Sequence, residues 1–300
     1  MAVLKRYDGT NWVTVGGKNI VENDNLVNGE NTGSLRGINT AEEGMTYSIG
    51  YNAVAMGDGT QARGGDSFAS GFQTIAAGDG SHAEGIHTYA GDSYSPGSHA
   101  EGNGTLALGD YSHSEGGVEW TFPYAATVTA IGISGGYYTI SFNNPIIRSS
   151  SATASLPSDL NYYFIAKANS YDTFAYVTDT DKDDSVWTVT LNDGASYDGD
   201  VGDTIWLQDK GVLALGDYSH AEGYNTIAAS DYQHVQGKYN IIDNSNTYAH
   251  IIGKGTSSTR SNAYTLDWSG NGVFAGTVTY NGNQQIKNVA TLEYEVVDTW

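Results

Sequence analysis

Four short stretches of the sequence place a serine, a histidine and a glutamate within five residues. Ser81–Gly85, Ser98–Gly102 and Ser219–Gly223 read Ser-His-Ala-Glu-Gly, and Ser112–Gly116 has serine in place of the alanine. Adjacent serine and histidine are the residue types of a nucleophile and its general base. In a strand, however, neighbouring side chains point to opposite faces, so Ser81 and His82 do not face each other. The same serine, histidine and glutamate also recur in several repeats, whereas an enzyme needs one catalytic group of each kind per active site. We therefore predict no catalytic residues and no enzyme.

The same stretches raise the question of a metal site. His82 and Glu84 share one face of a predicted strand, and stacked copies of the pair form a ladder. A solvated or trimer-lining face is the preferred interpretation, with the glutamates favouring protonated histidine, and we predict no metal site. Asp179–Asp184 resembles a calcium loop but has Asp184 where that loop needs glycine and Thr190 where it needs glutamate. We predict no cofactor, and no carboxylate pair is singled out for glycoside hydrolysis.

The composition excludes several classes of protein. The chain has 300 residues, with 34 acidic and 13 basic side chains, a net charge of -21 and no cysteine. Disulfide scaffolds and cysteine zinc sites are therefore impossible. Nucleic acid is not an expected partner, because phosphate binding needs clustered Lys and Arg. No stretch approaches the about 20 apolar residues that cross a bilayer. No secretion signal follows Met1, so we expect neither membrane insertion nor classical export.

A period of seven residues organises much of the chain. Its glycines are Gly57, Gly64, Gly71, Gly78, Gly85, Gly102, Gly109, Gly116, Gly216, Gly223 and Gly237. An alanine lies two residues before nine of these eleven glycines, and Ala228 stands in the same place before Ser230. The alanines are Ala55, Ala62, Ala69, Ala76, Ala83, Ala100, Ala107, Ala214, Ala221 and Ala228. A coiled-coil heptad needs large apolar residues and no recurring glycine. As short strands, the pattern places alanine on a narrow inner face and glycine at the bends. Two such sides form one coil, which predicts an all-β solenoid.

Two kinds of half-coil alternate from Gly78 onward. The polar kind is His-Ala-Glu or a variant of it, and the apolar kind carries Leu or Ile beside the alanine, at residues 75–77, 106–108, 213–215 and 227–229. Before Gly78 the alternation slips, because Val54 and Met56 are apolar one half-coil out of phase. A thin solenoid does not cover its own apolar face. We therefore expect a homotrimer with these faces against a shared axis.

The repeat stops after Gly116 and resumes in phase at Leu213, as if nothing intervened. Residues 117–211, with 12 acidic and 4 basic side chains, are therefore expected to form a separate lateral β-barrel or sandwich. Its strands are predicted at residues 126–134, 137–142, 162–167, 174–178, 186–191 and 204–207. Most of its aromatic side chains are expected to fill the core, and one of each adjacent tyrosine pair should face outward. The receptor-contact candidates are Trp120, Tyr124, Tyr137, Tyr138, Tyr162, Tyr163, Trp187, Tyr197 and Trp206.

These repeats resemble two groups of known proteins. The Ala-x-Gly pattern resembles the head repeats of trimeric autotransporter adhesins such as YadA. The Ser-His-Ala-Glu-Gly wording resembles more closely the fibre and appendage proteins of bacteriophages and prophages, as do residues 2–13, 25–40 and 248–276. The resemblance implies a left-handed parallel β-roll, a parallel homotrimer and a place on the virion surface. The predicted fold class is therefore all-β, a trimeric left-handed β-roll with an inserted small β domain.

The domain division follows from these segments. Residues 1–27 are expected to dock on the virion through Leu4, Tyr7 and Trp12, residues 28–116 and 212–240 to form the roll, residues 241–280 a β cap and residues 281–300 a strand or helix tail. The expected function is a tail or baseplate fibre that attaches a phage to a host surface glycan or protein. The N-terminus would bind a capsid or a tail protein. The alternatives are a capsid head fibre, a polysaccharide depolymerase spike and a bacterial surface adhesin.

Overall fold

The structure, a computed structural model, consists of strands and the turns between them. It describes residues 49–92, 95–118, 122–156, 160–168, 174–192, 199–208 and 211–280, and the strand backbones of Lys5–Tyr7, Trp12–Thr14, Leu26–Asn28, Leu35–Gly37 and Gln284–Lys287. No helix occurs in these parts of the chain, and consequently none that is long and apolar enough to cross a membrane. The prediction of an all-β fold is confirmed.

The larger of the two sheets of the roll is called the long sheet here. Its strands, in spatial order, are Leu26–Asn28, Leu35–Gly37, Val54–Asp58, Phe68–Phe72, His82–Ile86, His99–Asn103, His113–Gly117, His220–Tyr224, His234–Lys238, Tyr248–Lys254, Asn262–Asp267 and Gly272–Phe274. The strands from Leu35–Gly37 to Tyr248–Lys254 run parallel. The remaining strands pair antiparallel at the two ends of the sheet.

The short sheet lies on the other side of each coil. It consists of Gln61–Ala62, Ile75–Ala76, Tyr89–Ala90, Thr105–Ala107, Val212–Ala214 and Ile227–Ala228, all parallel. From Ile75 onward the polar half-coils lie in the long sheet and the apolar half-coils in the short sheet, whereas the out-of-phase apolar strand Val54–Asp58 belongs to the long sheet. The inner alanines, such as Ala83 and Ala107, are fully buried between the sheets. The prediction of a β-roll is confirmed.

Glycine is required at the bend because successive coils come very close there. Gly102 has a φ of 110°, a conformation that side chains rarely adopt. A Cβ atom on Gly102 would lie 2.0 Å from the carbonyl oxygen of Gly116 in the next coil. Gly64 shows the same contact at the opposite bend, where an added Cβ would lie 2.0 Å from the carbonyl oxygen of Gly78. The regular glycines therefore set the distance between coils.

Residues 124–208 contain an antiparallel sheet that closes on itself, called the barrel here. Its strands are Tyr124–Ser134, Tyr137–Asn143, Ile146–Ile147, Phe164–Lys167, Phe174–Asp183, Val186–Leu191 and Thr204–Gln208. The ring closes because Tyr124–Ser134 pairs with Thr204–Gln208 through its first half and with Tyr137–Asn143 through its second half. Large side chains fill the interior, with Phe142 and Trp187 almost fully buried.

Several strands of the barrel differ from the sequence-based boundaries, and for two of them the structure shows why. The strand predicted at residues 162–167 begins at Phe164, because Tyr162 has a φ of 65° and forms a turn. The strand predicted at residues 174–178 continues to Asp183 after a register shift between Val177 and Asp179. The polar residues of that extension pair with Val186–Leu191, so backbone hydrogen bonds extend the strand without apolar burial.

The barrel joins the roll at neighbouring coils. His113 pairs with His220 and Thr105 with Val212, so the strands on either side of the barrel lie next to each other in register, as the uninterrupted phase of the repeat predicts. The barrel also packs on the short sheet, where Phe164 and Tyr176 belong to one buried cluster with Leu106, Leu213, Tyr89 and Ile227.

This contact corrects the expectation that the apolar half-coils face a shared trimer axis. Leu106 and Leu213 are fully buried within the single chain, because the barrel covers them. The covering side chains come from the segment that the sequence analysis treated as separate and lateral. The apolar residues of the short sheet are therefore explained, at these coils, by contact within one chain.

The terminal segments are only partly described. Lys5–Tyr7 and Trp12–Thr14 form an antiparallel pair in which Tyr7 is opposite Trp12. Their side chains and Leu4 lie outside the described residues, so the docking prediction has no structural counterpart here. Near the C-terminus, Gln284–Lys287 pairs antiparallel with Thr277–Tyr280, which places Ile286 in a strand and not in the alternative helix. Residues 288–300 lie outside the described part of the chain.

Candidate functional site

One face of the long sheet carries a regular array of histidines and glutamates, called the His–Glu face here. Parallel strands in register place equivalent residues of successive coils one strand spacing apart, about 4.8 Å. Six imidazole rings accordingly stack with centroids 4.6 to 4.9 Å apart, in the order His82, His99, His113, His220, His234 and His250. Glu84, Glu101, Glu115 and Glu222 form a second column beside them, and Gln236 continues it.

The two columns contact each other across the face. The Nε2 atoms of His82, His99, His113, His220 and His234 lie 3.6 to 4.0 Å from glutamate oxygens. Some pairs lie within one strand, as His82 with Glu84, and others connect neighbouring strands, as His220 with Glu115. These distances exceed a hydrogen bond, and the side chains are partly exposed, so the pairs add little stability.

The histidine nitrogens are nevertheless shielded. The side chains of these five histidines are 33% to 43% exposed, but that exposure belongs to atoms other than Nε2. Each Nε2 atom is buried and has no hydrogen-bond partner among the described residues. A shielded polar atom without a partner costs about 1 to 3 kcal/mol relative to a hydrogen-bonded one. The face therefore keeps five nitrogen atoms in an arrangement that its own side chains do not satisfy.

The structure corrects the expectation that the glutamates favour protonated histidine. Burial lowers the pKa of His82, His113 and His234, and the neighbouring histidines lower it further. The glutamates raise the pKa of each ring by less, since burial is the larger effect. These three imidazoles are therefore held in the neutral form at neutral pH, with a free lone pair on one nitrogen.

A groove runs beside the glutamate column. Its volume is about 710 Å³, and it is lined by Glu84, Glu101, Glu115 and Glu222 together with the glycine that follows each of them. Because glycine has no side chain, the groove reaches the backbone of the long sheet. The glutamates thus have the histidines on one side and an open groove on the other.

The roll also carries a column of exposed tyrosine rings, which the sequence analysis did not predict. Tyr111, Tyr218 and Tyr232 stack at one bend of the roll, with centroids 5.3 and 5.1 Å apart, and each is more than half exposed. The aspartate before each tyrosine forms its own column, in which the Asp217 carboxylate accepts a hydrogen bond from the Asp110 backbone N–H at 2.9 Å. The repeated Asp-Tyr pair at residues 110–111, 217–218 and 231–232 is the signal in the sequence for this column.

The aromatic receptor candidates differ in exposure. Some are exposed or half-buried, some are buried, and two lie outside the described residues. Tyr137 is exposed at 44%, and its neighbour Tyr138 is half-buried against the barrel core, so this pair behaves as predicted. Tyr124 is also half-buried against that core, and Trp206 is half-buried beneath the Arg148 guanidinium, whose carbon lies 3.9 Å from the ring centroid. Trp120 and Tyr197 lie outside the described residues.

The remaining candidates do not face outward. Trp187 and Tyr163 are buried in the barrel core at 1% and 4% exposure, so neither is available to a receptor. Tyr162 packs against the cluster that joins the barrel to the roll. Neither member of the pair Tyr162 and Tyr163 is exposed as predicted, because Tyr163 is buried and Tyr162 is half-buried against that cluster.

The segment that resembles a calcium loop forms part of a hairpin. Asp179, Asp181 and Asp183 lie in the strand Phe174–Asp183 and pair with Val186–Leu191. The Lys182 ammonium lies 4.3 Å from the centroid of the Trp187 ring. The aspartates are therefore arranged along an exposed strand and its turn.

The geometry of the roll agrees with one comparison with known proteins. Residues 48–73 and 69–88 match the YadA head domain repeat, in two copies. The predicted YadA-head-like repeat is confirmed. The matched residues contain the strands Val54–Asp58, Phe68–Phe72 and His82–Ile86, which are successive strands of the long sheet. No curated protein and no solved structure gives a significant match to the chain. The chain thus contains an adhesin-like β-roll.

Proposed function

We propose that this chain is a structural attachment protein, a homotrimeric fibre displayed on the surface of a bacteriophage virion. The roll acts as a stiff spacer and the barrel as the recognition module, which binds a glycan or protein of the host surface without chemical turnover. The YadA-type repeats support an adhesin-like role and self-association. The Ser-His-Ala-Glu-Gly motif supports a location on the virion, because it resembles the repeats of phage fibres.

The observation that carries this proposal is the fixed mounting of the barrel on the roll. The chain leaves and re-enters the roll at adjacent coils, and Phe164 and Tyr176 pack into the short sheet beside Leu106 and Leu213. A module held at both its connections and its side has a defined position. In a trimer, three such modules engage a receptor array together, so weak individual sites give strong attachment.

The mounting also limits where copies can meet. Because the barrel covers part of the short sheet, copies of the chain associate through the uncovered remainder of the roll. Light scattering of the purified chain tests this part of the proposal directly. A mass of three chains is the expected result, and a monomer at micromolar concentration contradicts the trimer.

Electron microscopy of intact phage particles with a gold-labelled antibody to residues 117–211 tests the location. Label at the tail tip is the expected result and identifies a tail or baseplate fibre. Label spread over the capsid replaces that assignment with a head fibre. Label on bacterial cells and on no particle overturns the virion and establishes a bacterial surface adhesin, the second candidate, which the match to the YadA repeat favours.

Tyr137 is the residue of the barrel on which we expect attachment to depend most. It is exposed at 44% at a hairpin turn, and aromatic side chains are frequent anchors at binding surfaces. Tyr137→Ala should weaken binding of the purified protein to host cells about tenfold, or 1.4 kcal/mol, with unchanged thermal stability. Tyr111→Ala, at an exposed tyrosine of the roll, is the matched control and should bind normally. Equal losses in both variants, or release of glycan fragments by the wild type, contradict the proposal.

A further inference from the structure

The His–Glu face contains three places where histidine nitrogens and glutamate oxygens come together. His82, Glu84 and His99 form the first set, Glu101, His113 and Glu115 the second, and His220, Glu222 and His234 the third. Within each set, one possible ligand atom from each side chain lies within 4.8 Å of the others. The in-register pairing of parallel strands produces this arrangement, so it recurs along the face and does not depend on one loop.

The histidine Nε2 atoms of these sets face glutamate oxygens without forming a hydrogen bond to them. The Nε2 atoms of His82, His99, His113, His220 and His234 are buried and lack a hydrogen-bond partner among the described residues. Each points toward the glutamate column, whose oxygens lie 3.6 to 4.0 Å away. A hydrogen bond would require a shorter distance. The gap between the two columns is therefore lined by atoms that are all able to donate a lone pair.

Although the sequence alone predicts no metal site, we propose that each of these three sets binds a divalent transition-metal ion, with Zn²⁺ as the ion it fits best. Neutral imidazole nitrogen and carboxylate oxygen are the protein ligands of zinc other than cysteine, which this chain lacks. A hard cation such as Ca²⁺ instead needs six or more oxygen ligands, and each set offers at most two carboxylates. The proposal stands independently of the attachment function and of its location on a virion.

Binding requires the ligands to move closer together. In a tetrahedral site with zinc bonds of about 2.1 Å, ligand atoms lie about 3.4 Å apart. The histidine–glutamate pairs within the sets, at 3.7 Å for His82 and Glu84, 4.0 Å for His113 and Glu101 and 3.6 Å for His234 and Glu222, are already near that distance. The stacked rings of the first and third sets, with centroids 4.6 and 4.8 Å apart, must tilt toward each other by rotation about their side-chain bonds. An ion therefore binds only if the free energy of its bonds to the ligands exceeds the free energy lost with the ring stacking. This condition favours ions that prefer imidazole.

The shape of the face also favours occupation. The groove of about 710 Å³ beside the glutamate column gives ions a path from solvent to the carboxylates. A glycine follows each of these glutamates, so no side chain at that position closes the path.

Equilibrium dialysis of the full chain against Zn²⁺ tests the proposal, using protein without an affinity tag that has been stripped with a chelator. Three ions per chain are expected, one for each set. Replacing one carboxylate in each set should remove one ion and leave the other two, in the variants Glu84→Gln, Glu115→Gln and Glu222→Gln. Glutamine is tolerated in this column, because Gln236 occupies it in the next coil.

The control is His250→Gln, which changes the sixth ring of the stack but lies outside the three sets. It should leave all three ions bound. Co²⁺ provides a second readout, because ligation by imidazole in a tetrahedral site gives strong visible absorption, and each glutamine variant should lose about a third of it. No Zn²⁺ binding by the folded chain, or binding that the three glutamate variants do not reduce, overturns the proposal. So does equal loss in His250→Gln.

Discussion

The roll and the barrel solve the same packing problem with side chains of opposite size. The interior of the roll is lined by alanines such as Ala83 and Ala100, which are fully buried between two sheets held close together. The barrel interior is filled by Trp187, Phe142 and Ile140, which are equally buried. The two regions therefore have different weaknesses. An added atom damages the roll, and a removed atom damages the barrel.

The two regions also differ in how their strands find partners. In the roll, Phe68 pairs with His82 in the next coil, and the other side of the coil supplies the crossover that parallel strands need. In the barrel, Phe164 pairs with Gln208, far along the chain and antiparallel. The roll thus repeats one local rule, whereas the barrel depends on pairings between distant segments.

The largest effect we expect comes from adding one methyl group to the roll. Gly102→Ala places a Cβ atom 2.0 Å from the backbone carbonyl oxygen of Gly116, and backbone atoms cannot rotate away. The residue also has a φ of 110°. We expect a loss of more than about 4 kcal/mol in the free energy of unfolding, measured by chemical denaturation.

Gly80→Ala is the matched control, because Gly80 also lies in the roll with a positive φ, of 64°. No atom lies within 4 Å of an added Cβ there. That variant should lose only about 1 kcal/mol, from backbone strain. Similar losses in the two variants would show that backbone conformation, and not the distance between coils, makes glycine necessary.

The next effect is the removal of a large side chain from the barrel. Trp187→Ala should lower the stability of the barrel by about 3 to 5 kcal/mol, because it leaves a cavity among Phe142, Val189 and their neighbours. Hydrogen exchange followed by mass spectrometry should show faster exchange across residues 124–208 and nearly unchanged exchange in the coils from Val54 to Ile86. An equal increase in both regions would mean that roll and barrel unfold as one unit.

The difference in strand pairing between the roll and the barrel explains which parts of the fold the sequence analysis predicted. The period of alanine and glycine determines the register of the roll, since each position repeats one coil later. The closure of the barrel has no such signal, because it depends on Tyr124–Ser134 bending at Val128 to reach two different partners. Strand positions such as Val186–Leu191 were predictable from local sequence, but which strands pair was not.

The candidate site was predictable to a similar degree. Alternation along a strand correctly placed His82 and Glu84 on one face, and parallel register then forms the ladder. The charge state was mispredicted, because burial depends on the packing of the whole face. The contact of Phe164 and Tyr176 with the short sheet was missed for the same reason, since it joins two regions that share no sequence pattern.

Titration gives a further difference between the two regions. All 7 histidines of the chain lie in the coils of the roll and in its terminal strand Tyr248–Lys254, and none lies in residues 117–211. In the barrel, the pKa of Asp203 is held below its usual 3.8, chiefly because the Asp200 backbone N–H donates a hydrogen bond to it. The stability that Asp203 contributes is lost only as the pH falls below 3.8. Because residues 117–211 contain no histidine, a histidine contribution to the pH dependence of stability between about pH 6.5 and 4 can come only from the roll.

His87 gives the clearest single contribution in that range. It is 5% exposed, burial lowers its pKa to about 4, and its Nε2 atom lies 2.8 Å from the Gln73 Oε1 atom, to which the neutral ring donates. The unfolded chain binds a proton at about pH 6.5, whereas the folded chain resists it until about pH 4. The stability is therefore fully present above pH 6.5 and decreases as the pH falls toward 4, by roughly 3 kcal/mol from this residue.

His87→Gln should remove most of that pH dependence from the roll. The substitution fits, because Gln73 occupies the equivalent bend one coil earlier with a φ of 52°, against 53° for His87. Scanning calorimetry at about pH 7 and about pH 4.5, with a chelator present, should show a smaller decrease in melting temperature for the variant than for the wild type. The remaining decrease includes contributions from His82, His113 and His234, whose pKa values are also lowered, and from carboxylates that begin to bind protons near about pH 4.5. If the barrel melts first on acidification, or if the variant loses as much stability as the wild type, the acid sensitivity does not arise from the buried histidine of the roll.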